Sequence, residues 1–168
     1  MEQIMRSETT ILNLNRPLHM EMTAAHQHQL HARVLDDWGL HVLAAKMREE
    51  QAEEIGHSDL FIDRIMFLKG SPEIAFAKSP KRHGSLVEMF QADLADEEEA
   101  IVHDVTSARQ AYEENDTGTG PLFGRIALDE EGHKAWLELQ FDLIERIGEL
   151  ACTAKLVSFA PSGRGSSA

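Results

Sequence analysis

Cysteine is almost missing from this sequence: Cys152 is the only one in 168 residues. A single thiol excludes an internal disulfide framework, a cysteine-ligated zinc finger and an iron–sulfur cluster. Basic residues are also scarce, with 16 Lys plus Arg against 29 Asp plus Glu and a formal charge of −13. An acidic surplus of that size repels phosphate backbones, argues against nucleic-acid binding and favours cations. No uncharged run reaches the roughly 18 residues of a membrane-spanning helix. The N-terminus, with Glu2, Arg6 and Glu8, lacks the basic start and apolar block of a secretory signal. These absences predict a cytoplasmic setting and no membrane partner. No segment alternates polar and apolar residues long enough to argue for a strand.

What the chain does have is helical periodicity, and the expected fold class is all-α. Four long segments carry it. The first runs from about Ser7 to Trp38, with Pro17 requiring either a start near Asn15 or a bend. The second runs from about Leu40 to Leu68. The third starts at Ser85, where Ser85-Leu86-Val87-Glu88 has the form of a capping box, and ends near Glu114. The fourth covers about Pro121 to Ile147, and Leu150 to Phe159 suggests a short fifth helix. Residues 1–160 read as one domain, and 161–168, rich in Ser and Gly, as a flexible tail.

Gly39 leaves almost no connection between segments one and two, so they are antiparallel neighbours. The same holds for three and four across the Gly-rich turn at 115–120. Sixteen residues, Lys69 to Gly84, separate two from three. Extended, they reach roughly 50 Å, enough to run the length of a helix of about 42 Å. A long crossover of this kind is the connectivity of ferritin-like bundles.

The chemistry lies in charge placed on the apolar stripes. Helix three reads Leu86, Phe90, Leu94, Glu97, Ile101, Val105. Helix four places Glu130 and His133 between Ile126 and Leu137, and helix two places Glu54 and His57 between Met47 and Phe61. On helix one, Glu21 falls between Leu18 and Ala25. Burying unpartnered carboxylates costs several kcal/mol each, and a bound cation compensates them. The spacings repeat: 33 residues separate Glu21 from Glu54 and Glu97 from Glu130, and 76 separate Glu21 from Glu97 and Glu54 from Glu130. Two hairpins therefore each bring one Glu and one Glu-x-x-His, the ligand set of a di-iron or di-manganese carboxylate site. Any one of these residues alone reads as a boundary or surface residue. Glu49, Glu50 and Glu53 read as solvated helix residues or, on the inner face of a shell, as residues that pass or nucleate iron; the run Asp96-Glu97-Glu98-Glu99 reads as solvated, apart from Glu97.

At these residues the sequence resembles the bacterioferritins. The resemblance extends through Glu21-Met22-Thr23-Ala24, Leu30-His31-Ala32-Arg33, Trp38-Gly39, Arg64-Ile65-Met66-Phe67-Leu68 and Asp129-Glu130-Glu131-Gly132-His133. It implies a ferritin-like four-helix bundle with a short fifth helix and a hollow 24-subunit shell. It also implies oxidation of Fe(II) by dioxygen or peroxide, and storage of ferric mineral. Glu54 and Glu130 would bridge two irons, with Glu21, His57, Glu97 and His133 as terminal ligands. In two places the chain departs from the family. Ile55 stands where the family has its haem-ligating methionine, and Met47, over 10 Å away along the helix, is no substitute. A homodimer is therefore expected to lack bis-methionine haem unless a second subunit supplies the ligand. His28 stands on the inward stripe where many members have tyrosine, as either a hydrogen-bonded core residue or one with a special role. His19, His26, His31, His41, His83 and His103 are expected at the surface or in structural roles. A haem-deficient partner subunit of a mixed shell is the alternative function. A DNA-protecting mini-ferritin is disfavoured by the acidic chain, a rubrerythrin by the single cysteine, and a radical enzyme by the remoteness of Tyr112.

Overall fold

The computed structural model describes residues 2–154. Among them are five helices and no strand: α1 Glu2–Asp37, α2 His41–Phe67, α3 Leu86–Glu113, α4 Thr119–Ile147 and α5 Glu149–Ala154. The first four form the bundle. The expected fifth helix begins as foreseen, but its stretch beyond Ala154 and the tail lie outside the described residues.

Each turn has a local cause. Gly39 takes φ +79°, a left-handed conformation open to glycine, and lets the Leu40 N–H reach the Leu35 carbonyl at 2.8 Å, so α1 folds straight back into α2. At the α3–α4 turn, Asp116 accepts from the Thr119 N–H at 2.9 Å, and the Arg64 guanidinium closes on Asp116 at 2.7 Å and Thr119 at 2.8 Å. This carboxylate cap starts α4 at Thr119, two residues before Pro121, which falls in the tolerated first turn. Ser85 caps α3, accepting from the Glu88 N–H at 3.2 Å, while Glu88 reaches back to the Gly84 N–H at 2.8 Å.

Helix α1 does not start near Asn15; it begins earlier and runs through Pro17. A proline leaves the carbonyl four residues earlier without its helical donor. That carbonyl belongs to Asn13, and His103 Nε2 of α3 lies 3.1 Å from it and donates to it. Burial lowers the His103 pKa, which keeps the ring neutral for that role.

The crossover is tied down along its length. Asn15, His19, Thr23 and Gln27 form one row of α1 at a spacing of four. Asn15 pairs with the backbone of Ser71 and Glu73, at 3.2 and 2.8 Å. The Ala77 N–H reaches the His19 carbonyl at 3.2 Å and Thr23 Oγ1 at 2.9 Å. Gln27 both donates to and accepts from the Lys81 backbone, each at 2.8 Å. The crossover thus runs alongside α1 and delivers α3 antiparallel to it, as in the expected topology.

Two apolar clusters occupy the ends of the bundle. Leu35, Leu43, Met47, Leu86, Phe90 and Leu137 pack one end. Leu14, Leu18, Phe61, Ile65, Phe123 and Ile126 pack the other. Between them all four helices turn acidic side chains inward.

Candidate metal centre

Glu21, Glu54, His57, Glu97, Glu130 and His133 are all buried, none more than 9% exposed. Rotation along each helix accounts for this, because each acid continues an apolar stripe across the middle of the bundle. The six side chains form two overlapping quartets, Glu21-Glu54-His57-Glu130 and Glu54-Glu97-Glu130-His133, with candidate ligand atoms within 4.8 Å of one another. Glu54 and Glu130 belong to both.

The geometry is close to two-fold symmetric. His57 Nδ1 lies 3.0 Å from Glu130 Oε1, 3.5 Å from Glu54 Oε2 and 3.6 Å from Glu21 Oε2. His133 Nδ1 lies 3.0 Å from Glu130 Oε2, 3.5 Å from Glu54 Oε1 and 3.6 Å from Glu97 Oε1. Each shared carboxylate therefore turns one oxygen to each histidine. Both Glu130 oxygens, Glu54 Oε1, His57 Nδ1 and His133 Nδ1 are buried without a hydrogen-bond partner. Buried polar atoms in a folded protein are almost always paired, and a cation between them would satisfy all five. The donor set, four carboxylates and two imidazoles, suits divalent first-row metals.

Without a cation, protons hold the acids together. Burial, then the Glu54 charge, raises the Glu21 pKa well above the usual carboxylate range. Burial, with the Glu130 and Glu54 charges, does the same to Glu97. Burial opposes charge on His57 and His133, but contacts led by Glu130 outweigh it and raise both pKa values. Burial likewise opposes ionisation of Glu54, yet the contacts with Glu21 and three histidines lower its pKa well below normal. A cation arriving here must displace protons.

Around this ring the sequence reading needs correction. Glu50, expected in solvent, is 4% exposed; its Oε2 lies 2.8 Å from His133 Nε2, and Lys46 pairs with it. The stripe of α3 beyond Glu97 runs through Asp104, Ser107 and Ala108, while Val105 is exposed. The seven-residue step from Glu97 leads to Asp104, which tracing apolar residues alone passes over. Burial and then the Glu130 charge push the Asp104 pKa up to about 8. Glu53 Oε2, on a half-exposed side chain, comes within 3.2 Å of His133 Nε2, and Asp129 Oδ2 within 3.3 Å of His57 Nε2. Glu49 is exposed as expected.

His28 does point inward. Its Nε2 lies 3.7 Å from Glu54 Oε1 and its Nδ1 3.9 Å from Asp93 Oδ2. His31 is fully buried, with Nδ1 3.2 Å from Asp93 Oδ2. Gln27 Nε2, already fixed as a donor by the Lys81 carbonyl, lies 2.7 Å from His31 Nε2, so the proton of a neutral His31 sits on Nδ1 and is donated to Asp93. His31 thus has a structural role. Asp93 was not singled out in the sequence; its seven-residue spacing from Leu86 was the available signal.

The ferritin-like domain family matches residues 11–147. The bacterioferritin of Brucella melitensis is 40% identical over 86% of this chain and 91% of its own length. Mycobacterium tuberculosis bacterioferritin BfrA is 35% identical over 94% of this chain and all of its own length. This chain belongs to the bacterioferritin family. The solved structure of M. tuberculosis BfrA superposes with a TM-score of 0.86 at 35% identity, covering 89% of this chain and 94% of that one. That of Rhodobacter capsulatus bacterioferritin, described with a metal-free dinuclear site and a haem iron, gives 0.87 at 34% identity, over 93% and 96%.

Ile55, 38% exposed on α2, carries no donor atom, and Met47 is 2% exposed within the core. The residue at the position expected to carry the haem methionine therefore does not fit bis-methionine ligation. No helix of the described residues is long and apolar enough to cross a membrane.

Proposed function

We propose that this chain is a ferroxidase and iron-storage subunit with two Fe(II) ions as substrates, bound by Glu21, Glu54, His57, Glu97, Glu130 and His133. The observation that carries the reading is the split of Glu54 and Glu130, one oxygen to each histidine, with the facing nitrogens unpartnered. In this reading the two shared carboxylates span both ions, Glu21 with His57 completes one side, and Glu97 with His133 the other.

Charge explains both capture and release. Four carboxylates with two neutral imidazoles match the charge of two Fe(II). Each ion gives one electron. Two Fe(II), one dioxygen and two protons yield two Fe(III) and hydrogen peroxide; with peroxide as oxidant, two Fe(II) and two protons yield two Fe(III) and two waters. The ring then holds two positive charges in excess, which favours hydrolysis of the ferric product and its transfer to mineral. Protons displaced from the ring on binding are available for the oxidant. The domain, residues 1–160, is taken to assemble into a cytoplasmic 24-subunit shell.

Stopped-flow mixing of the assembled protein with Fe(II) and dioxygen is expected to show fast oxidation, slowed roughly a hundredfold or more in Glu54→Ala and Glu130→Ala, since even outer-ring changes cost ten to a hundredfold. Wild-type rates equal to those of iron in buffer would remove the reading.

Ile55 favours a second reading, a haem-deficient partner in a mixed shell. Native mass spectrometry of shells from the source would show two subunit masses; a single mass ends this alternative.

A further inference from the structure

A cavity of about 130 Å³ opens between α1, α3 and the crossover, and its floor is formed by Glu21, Glu54, Glu97 and Glu130. Its walls are Met20, Thr23, Ala24, Ala77 and Ala100, with the Thr23 hydroxyl engaged by the crossover backbone, and Lys78, Asp96 and Glu99 also line it. The charges among them are paired. Lys78 of the crossover forms an ion pair with Asp96 of α3, and Glu99 lies 3.5 Å from Arg16. The crossover is held in place by the Ala77 N–H bond to Thr23. The α2–α4 side is different. There Glu53 and Asp129, both partly exposed, reach the outer nitrogens of His133 and His57, and Glu49 is exposed nearby with no ion pair to a described residue.

We propose that the cavity between α1, α3 and the crossover is the port for the oxidant, a small uncharged molecule, and that Lys78 is a selectivity residue that closes this port to cations. The chemistry favours this division. A divalent ion must shed much of its hydration to pass a throat whose uncommitted lining is alanine and methionine, since Thr23, Asp96 and Glu99 are already engaged, at a cost such walls do not repay. Dioxygen and hydrogen peroxide carry no charge and enter without that penalty. Lys78, by pairing with Asp96, cancels an acid at the mouth that would otherwise draw a metal ion, whereas the acidic α2–α4 face attracts one.

This inference rests on the ferroxidase reading, and the test separates the two. Ala100→Leu, and independently Ala77→Leu on the crossover where no helix is at risk, narrow the throat. In assembled protein loaded with Fe(II), both are expected to lower the second-order rate with dioxygen about tenfold, while the rate of cobalt(II) binding without oxidant, followed by its visible bands, stays within roughly twofold. A parallel arm with hydrogen peroxide identifies the oxidant: a block of either one supports the port and names its user. Lys78→Glu is expected to add a cobalt-binding phase that survives Glu53→Gln with Asp129→Asn. If the leucine variants slow cobalt as much as oxidation, or leave both oxidants unaffected, the port is not there. If wild-type protein fails to oxidise iron faster than buffer, the ferroxidase reading falls instead.

Discussion

His57 and His133 have the same surroundings on one ring nitrogen and different ones on the other. Toward the ring of acids, each Nδ1 meets a Glu130 oxygen at 3.0 Å and a Glu54 oxygen at 3.5 Å. On the outer side, His57 Nε2 has Asp129 at 3.3 Å, whereas His133 Nε2 has the buried Glu50 at 2.8 Å and Glu53 at 3.2 Å. Glu50 is itself steadied by Lys46. The inner symmetry follows from the repeated Glu and Glu-x-x-His of two hairpins. Glu53 and Asp129 are themselves 76 residues apart and mirror each other, so the outer asymmetry comes from Glu50, whose counterpart in the second hairpin is Ile126. An outer carboxylate fixes the tautomer and raises the basicity of a ligand histidine, so the two halves are expected to hold their ions unequally.

The largest effect should come from removing a carboxylate belonging to one half only. Glu97→Ala and Glu21→Ala are each expected to bind one fewer cobalt per subunit by calorimetry and to lose fast oxidation, roughly a hundredfold. Equal retention of both ions in the two variants would break the division into halves. Next, Glu50→Gln should weaken the His133 half by about tenfold or more, and Asp129→Asn should weaken the His57 half less, because its partner is longer and half-exposed. Cobalt titrations resolving two affinities would measure both, and the opposite ranking would reverse the assignment of the tighter half.

Asp104 sharpens the contrast on the side of Glu130 and His57. Its folded-state pKa of about 8 lies above the unfolded value, so the folded state binds that proton more tightly. Ionisation in the unfolded chain therefore erodes stability from the unfolded pKa of about 4 up to the folded one. Asp104→Asn should accordingly raise the melting temperature of metal-free protein, with a gain that grows across that window and levels off above pH 8. A gain independent of pH would mean that Asp104 does not titrate there. The smallest effect is expected from Lys46→Met. Lys46 itself is partly exposed and Glu50 keeps His133 as a second partner, so cobalt affinity of the His133 half should change no more than a few-fold.

The bundle, its crossover and the six inner side chains were legible because each rests on a repeat: stripes of three and four, a capping box, and spacings of 33 and 76. What escaped notice has no such mark. Glu50 looks like any other acid of a solvated helix, and its burial depends on where α4 sets His133. Asp104 interrupts an apolar stripe, and nothing local distinguishes it from a boundary residue. The row Asn15, His19, Thr23, Gln27 has the helical period, but its partners are backbone groups of the crossover, and pairing of that sort leaves no trace in composition. The start of α1 ahead of Pro17 was hidden for a similar reason, since the donor that rescues the Asn13 carbonyl is His103, ninety positions away.

The ladder from α1 changes what the crossover can tolerate. A surface connection of this length usually absorbs added or deleted residues cheaply. Here a deletion between Glu73 and Ala77 would slip the downstream contacts out of register with α1 and shift the launch point of α3, and with it Glu97. Length changes are therefore expected to be harmful between anchors and mild at Ser79, which is exposed between those at Lys78 and Lys81. A foreign peptide displayed on this scaffold belongs at that position.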